Sequence, residues 1–448
     1  MKVINNAYVI TMDAERHIYP KASLAIERNR IKEISEKNDS TLRYPNAEVI
    51  DAGGMLLLPG LINAHTHIFQ ILYKGLGDDA ALYDWLWKCI YPMSLNLSAE
   101  DCYDAARLTA LEMIQGGCTT FIDSHYVNID LGCQDALAAA IEETGIRGVL
   151  GRASIDSAPA PERMRESITQ AVSESERIIK QYQSAADGRI SVRVEALNEK
   201  LASQELLEAI RAVSIENHVG MNMHIAEVEE RTKELQEKCG MTSIEYAQSL
   251  GIAGKDVLLA HCCWLTEHDI DLIAQAGTHV AHNPVSNQYL ADGIAPIPKM
   301  IAKGINVTAG PDGACSNNNQ NMFDVMKSAA LLHKVHDLDP ISLTAQQALE
   351  MITINAAKAI GREDDLGSIE EGKIADLIIV DQFTPEMTPC FDPVSNLVYA
   401  ATPHVVDSVM IDGRFVMKHR ELKTLDPHIV IEKANQTAVQ LAKKAGLI

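Results

Sequence analysis

Positive charge is in short supply. The chain carries 39 Lys and Arg against 61 Asp and Glu, a formal net charge of −22. Binding a nucleic-acid backbone requires clustered cations that displace counterions, so no nucleic-acid partner is expected. Long apolar runs are missing too: no stretch reaches the roughly 18 residues that cross a bilayer. The opening segment MKVINNAYVITMDAERHIYP places charges where a signal core would be apolar. The sequence therefore reads as that of a soluble, cytoplasmic protein with no membrane partner. No CxxC pair occurs among the nine cysteines, and an odd count with Cys262 beside Cys263 argues against a disulfide framework, so reduced thiols are expected. The zinc deaminase signature that pairs HxE with PCxxC is also absent. No internal repeat of about 20 to 50 residues and no low-complexity tract stands out.

What is present is an alternation of short strands and helices in a chain of 448 residues, 47% hydrophobic. That length accommodates one barrel of roughly 250 to 300 residues and a smaller domain. KVINNAYVITM, SLAIERNRIKEIS and AEVIDAGGMLLLPG near the start, and GSIEEGKIADLIIVD and DSVMIDGRFVMK near the end, read as short strands with turns between them. Residues 1–58 and 361–448 are expected to form one composite β-sandwich domain, closed by a C-terminal helix in VIEKANQTAVQLAKKAGLI that serves as a packing element. Residues 59–360 alternate strand-like runs (CTTFIDS, GIRGVLGRA, ISVRVEAL, VGMNMHIAE, DVLLAHC, THVAHNP, INVTAGPDG) with helix-length segments. This α/β pattern predicts a (β/α)8 TIM-type barrel, with a doubly wound open sheet as the structural alternative.

Fifteen histidines say little by number, but their positions are informative. His65 and His67 in PGLINAHTH are two residues apart at the end of an apolar run, and period-2 alternation puts both imidazoles on one face of an extended segment. His224 ends VGMNMH, Glu227 follows in HIAE, His261 ends VLLAHC and Asp312 ends INVTAGPD. Each alone reads more readily as structural. Taken together, strand after strand ends in a metal-ligand or acid/base group, and a TIM barrel gathers its strand C-termini at one mouth. The resulting set is His65, His67, His224 and Asp312 around one divalent metal with a position left for water, a donor set that suits Zn2+ and that Fe2+ also accepts. The ion would bring the pKa of that water toward neutrality, giving a metal-bound hydroxide. Glu227 is placed to carry protons, and His261 is left to orient the hydroxide or polarise the substrate. A second metal would usually call for a carboxylated Lys at the end of the fourth strand. ISVRVEALNEK offers Glu195, Leu197 and Asn198 there, with Lys200 beyond, so one metal is expected.

PGLINAHTH, HIAE, AHC, AHNPVSN, GPDGACSNNNQNMFD, TINAAKAIG and GSIEEGKIADLIIVD resemble, in order and spacing over nearly the whole chain, the amidohydrolase-superfamily deaminases, a group that includes methylthioadenosine/S-adenosylhomocysteine deaminases and s-triazine hydrolases. The resemblance implies a mononuclear Zn or Fe site on His65, His67, His224 and Asp312, with Glu227 as proton shuttle, His261 as the water-orienting group and Asp312 also taking a proton from the water. Barrels of this kind are often homo-oligomers, and the partner implied is a small heterocyclic substrate.

The nucleoside-type members carry a Glu that grips the ribose two residues past a Pro, where this chain has Ser94, and a GPH-type motif where it has Leu197 and Asn198. A Ser offers no bidentate acceptor to a diol. Arg152 matches a third nucleoside-binding position, while Leu82 and Asp123 match members that remove an amine from triazines. The expectation from sequence is a metal-dependent hydrolytic deaminase of a free amino heterocycle of triazine, purine or pterin type. Deamination of an adenosine-type nucleoside is the alternative, and a metal-binding protein that has lost catalysis is a remote one, opposed by the presence of every ligand and of Glu227. Trp85, Arg152 and Ser316 are the expected substrate-binding residues. Tyr83 and Trp87 could stack on a flat ring, although packing is as natural a role for them. Asn317, Asn318 and Asn319 suit polar turns, Cys315 a core thiol, His125 a place near the mouth and His282 a supporting position.

Overall fold

Buried runs rich in branched and aromatic side chains, such as CTTFID and RGVLGRAS, leave no polar face for solvent, and such strands are stable only when covered on both sides. In the computed structural model, which describes residues 1–448, eight of these runs pair in parallel: Leu61–Thr66, Cys118–Asp123, Arg147–Ser154, Ile190–Asn198, Gly220–Ile225, Val257–His261, His279–His282 and Val307–Ala309. Helices cover them, and side-chain caps set where several helices begin. Ser98 with Asp101, Thr266 with Asp269 and Thr344 with Gln347 each form a reciprocal capping box.

The eighth strand meets the first at the mouth. Asp312 N–H donates to the His65 carbonyl at 3.1 Å, and Gly310 permits the approach, since a Cβ there would lie 2.6 Å from the same oxygen. Thr66 Oγ1 and Gln320 Nε2 both donate to the Asp312 carbonyl at 3.1 Å. Sequence order along the strands is thus unbroken from first to eighth, as a barrel requires and an open doubly wound sheet does not.

Both chain ends enter one nine-stranded sheet. Leu56–Pro59 runs parallel to Lys2–Ile10 and antiparallel to Leu377–Val380, so the N-terminal and C-terminal strands are joined by main-chain hydrogen bonds. This sheet has a core of its own, including Ile4, Leu24, Leu57, Ile379 and Met410. The C-terminal helix Pro427–Lys444 packs on the helix Ala99–Gln115, where Thr437 Oγ1 donates to Asp104 Oδ2 at 2.6 Å. No helix is long and apolar enough to cross a membrane.

The sheet is anchored to the barrel at the end away from the mouth. Arg147, first residue of the third barrel strand, is buried and donates through Nε and Nη2 to the two carboxylate oxygens of buried Asp376, at 2.8 and 3.1 Å. The same guanidinium donates to the Gly188 carbonyl at 2.9 Å, and Asp376 Oδ1 accepts from Asp412 N–H at 2.7 Å. Removing one partner leaves the other charge buried without compensation. Arg147→Met is expected to destabilise the fold by about 3–5 kcal/mol, and Arg147→Met/Asp376→Asn by less than the sum of the single changes. Denaturant unfolding of the three variants checks both points.

Candidate active site

His65 and His67 leave the first barrel strand, His224 the fifth, His261 the sixth, and Asp312 follows the eighth; all are buried. Their ring centroids stand 4.9 Å apart for His65 and His67, 4.6 Å for His65 and His224, and 5.2 Å for His67 and His224. Asp312 Oδ1 lies 3.3 Å from His67 Nε2 and 3.6 Å from His65 Nε2, and His67 Nε2 faces His224 Nε2 at 3.2 Å. Glu227 Oε1 lies 3.7 Å and Asp312 Oδ2 3.9 Å from His261 Nε2. The structure thus brings all six residues to one place.

Two of the inward imidazoles are aimed by bonds behind them. His67 Nδ1–H donates to the Ser124 carbonyl at 2.6 Å, and His224 Nδ1–H to Glu195 Oε1 at 2.8 Å, so the Nε2 lone pairs of both rings point inward. His65 Nε2 is buried with no hydrogen-bond partner. Three imidazole nitrogens and a carboxylate oxygen converging in a buried space fit one divalent cation of the Zn2+ type. His261 is different. The Asn287 amide donates to its Nδ1 at 3.0 Å, so the hydrogen sits on Nε2 and this ring faces the centre as a donor.

Burial pulls His65 well below its ordinary pKa and His67 down to about 4, and burial also lowers His261. Burial works against the charged form of His224, but the Glu195 bond and the charges of Glu195, Glu227 and Asp312 outweigh it and raise its pKa. Burial would raise Glu227 and Asp312; the surrounding His charges, with Arg231 for Glu227, more than offset it, and both carboxyls stay below their usual values and ionised. Asp312 is further held by Ser286 Oγ–H at 2.7 Å and Gly313 N–H at 2.7 Å. The backbone at Ala226, His261 and Asp312 is left-handed, with φ of 49°, 74° and 67°. Non-glycine residues rarely sit there, and such strain gathers at functional sites.

Above this floor opens a pocket whose lining includes Leu82, Tyr83, Trp85, Tyr91, Arg231 and Ser316. Trp85 donates from its indole to the Cys315 carbonyl at 3.2 Å, which seats the ring against the pocket. Ser316 Oγ is 3.1 Å from Ser286 Oγ, one bond away from Asp312. Tyr83 belongs to the wall, whereas Trp87 is 54% exposed and points away. Arg152 is not part of the lining: its guanidinium is buried in an ion pair with Glu166 and donates to Ser154 Oγ at 2.7 Å. Leu197 and Asn198 line the pocket; Ser94 and Asp123 do not. Asn317 and Asn319 donate to partners close in sequence, the Pro311 carbonyl and Asp324 Oδ2, Asn318 donates to Tyr289 OH on another element, and His282 packs on His333. His125 is likewise outside the pocket.

Four contributors escaped sequence reasoning. Glu195 appeared only as an occupant of the fourth-strand end, yet it orients His224. Asn287 and Ser286 lie in AHNPVSN, where only His282 was singled out. Arg231, four residues after Glu227, donates from Nη1 to Glu227 Oε2 at 3.2 Å; the spacing in EVEER was the available signal.

Comparison with known proteins agrees with this geometry. Residues 56–416 match the amidohydrolase family. The chain is 39% identical over 446 residues to a 5'-deoxyadenosine deaminase of Methanosarcina acetivorans, covering 99% of each chain. It is also 39% identical over 446 residues to a 5-methylthioadenosine/S-adenosylhomocysteine deaminase of Syntrophomonas wolfei, again covering 99% of each. A crystal structure of an adenosine deaminase from Xanthomonas campestris with bound zinc superposes with a TM-score of 0.92 at 28% identity, covering 99% of this chain and 98% of that one. The family match and the full-length likeness together place the chain in the amidohydrolase family.

Proposed function

We propose that this protein is a metal-dependent hydrolytic deaminase that removes the exocyclic amino group of an adenosine-type nucleoside modified at its 5' position, such as 5'-deoxyadenosine. The reading is carried by the convergence of His65, His67, His224 and Asp312 with Glu227 and His261 at the floor of one pocket, in a chain whose relatives at 39% identity are named for deamination of such nucleosides. It reverses the order expected from sequence, where free heterocycles came first because Ser94 replaces a ribose-gripping Glu. Ser94 is fully buried and lines no part of the pocket, so its identity does not decide what the pocket holds. In its place the wall presents Tyr91 OH and Arg231 Nε, both buried without hydrogen-bond partners. These are donors, and ribose hydroxyl oxygens accept from donors as readily as their hydrogens bind a carboxylate.

His65, His67, His224 and Asp312 would hold one ion, Zn2+ being favoured by the donor set and Fe2+ also compatible. When bound, such an ion supplies the Lewis acidity that makes water a nucleophile near neutral pH. Asp312, ionised and beside His261 Nε2–H, accepts a proton from that water. Glu227, ionised and bonded to Arg231, takes the other proton of that water and hands it to the ring nitrogen, and the proton held by Asp312 leaves with the departing amine. His261 donates from Nε2 to the developing negative charge. Trp85 and Leu82 exclude water from one side of the ring.

Glu227→Gln is expected to retain the metal and lose about 10²- to 10⁴-fold in turnover, whereas His224→Ala and Asp312→Ala lose metal as well. Elemental analysis beside an ammonia-release assay separates the two outcomes; near-normal turnover of Glu227→Gln at saturating substrate would remove it from the proton path. On one preparation, kcat/KM for 5'-deoxyadenosine or methylthioadenosine is expected to exceed that for adenine and for aminotriazines by at least about tenfold, 1.4 kcal/mol. Preference for a free base or a triazine overturns the nucleoside reading. Tyr91→Phe should cost the nucleoside about 0.5–1.5 kcal/mol, two- to tenfold in kcat/KM, and leave adenine unchanged.

A further inference from the structure

Behind the pocket wall lies a second set of ligand-type side chains that the reaction does not use. Cys102, His125 and Cys133 are fully buried, their ligand atoms lie within 4.8 Å of one another, and none lines the pocket. His125 Nε2–H donates to the Val127 carbonyl at 2.9 Å, which fixes the tautomer and leaves the lone pair on Nδ1. That Nδ1 is buried with no hydrogen-bond partner. The ring is therefore held from behind with a free nitrogen presented to two sulfurs, the arrangement a ligating imidazole adopts.

Two helix starts place the thiols. Cys133 opens the helix Cys133–Thr144, and Cys102 ends the first turn of Ala99–Gln115. The helix N-termini meet at Asp130, whose carboxylate accepts from Ala99 N–H and Gly132 N–H, each at 2.9 Å. Gly132 keeps them close, because a Cβ there would come within 3.2 Å of Ala99 Cβ. Helix N-termini favour thiolate over thiol. Burial pushes the Cys102 thiol up, whereas bonding from Cys102 and from His125 brings Cys133 down to about 6, so one of the two sulfurs facing the imidazole ionises readily. Two thiolates neutralise a divalent ion, and a sulfur and nitrogen donor set selects the borderline-soft Zn2+ class over Mg2+ or Ca2+.

We propose that Cys102, His125 and Cys133 form a second metal site, separate from the His–Asp centre, that takes one Zn2+-class ion in a structural role. The site bears on the first through a short covalent path. His125 directly follows Ser124, whose carbonyl holds His67 Nδ1, and Phe69 packs edge-on against His125 with ring centroids 5.3 Å apart. An ion here ties both helix starts to the strand end that aims His67.

Cobalt(II) loading of the full-length protein distinguishes the two sites, because the His–Asp centre offers only nitrogen and oxygen donors and only cysteine ligation produces thiolate-to-cobalt charge transfer in the near ultraviolet. Wild type is expected to retain about two equivalents after dialysis and to show this band. Cys102→Ser/Cys133→Ser should retain about one equivalent, lose the band, melt at lower temperature, and lose less than the roughly tenfold in activity that follows removal of a residue directly holding a ligand. A loaded wild type without the band, or a band that persists in the double variant, overturns the proposal. X-ray absorption on the zinc-loaded wild type needs no variant: sulfur scattering at about 2.3 Å supports the site, and a shell of nitrogen and oxygen alone overturns it.

Discussion

Lone pairs crowded into a buried space repel one another, and a protein that assembles them has to hold the groups that carry them from behind. Here the holding bonds come from elements remote in sequence: Ser124 for His67, Glu195 for His224, Asn287 for His261, Ser286 and Gly313 for Asp312. Ser124 and Gly313 lie just beyond strand ends, Glu195 in the fourth strand and Ser286 and Asn287 on the helix Pro284–Tyr289, so the barrel must close in register before these groups are aimed. The bond from Asp312 N–H to the His65 carbonyl belongs to this closure and to the site at once. It fixes the distance between the first and last donors by the same contact that completes the sheet.

The assembly carries a cost that the rest of the molecule must offset. Left-handed backbone at Ala226, His261 and Asp312 stores about 1–3 kcal/mol at each position, and the convergent donors add repulsion. The compensating structure lies at the opposite end of the barrel, where Arg147 and Asp376 bind the composite sheet to the start of the third strand. Stability and chemistry thus occupy opposite faces, the division that parallel barrels allow because their strands all point the same way.

Much of this was legible in sequence because it follows from local rules. Period-2 alternation puts His65 and His67 on one face, and runs ending in His or Asp mark the mouth. Strands at both ends of the chain share a texture and meet at Leu56–Pro59 and Leu377–Val380. What was not legible depends on partners chosen in three dimensions. Arg152 stands at a position matched to ligand binding in similar proteins, but Glu166 from the following loop takes its guanidinium. Trp85 and Trp87 look equivalent in LYDWLWKCI, yet the turn of the helix buries one and exposes the other. Glu195 is 29 residues from His224, too far for any spacing rule to connect them. The trio of Cys102, His125 and Cys133 has no motif spacing either, since it is created by two helix starts meeting at Asp130.

The pocket wall has a further meaning for how such a chain changes over time. Leu82, Tyr83, Trp85, Leu86 and Tyr91 all come from one excursion between the first barrel strand and the helix Ala99–Gln115. His67 stands at the start of that excursion and the other convergent donors lie outside it, and beyond His67 it is not part of either sheet. Its replacement would redraw the shape of the chamber while leaving the donors and the barrel closure intact. Recognition is thus carried on an interchangeable cassette and reactivity on a fixed chassis, so descendants of one ancestor can diverge in diet without reinventing their chemistry.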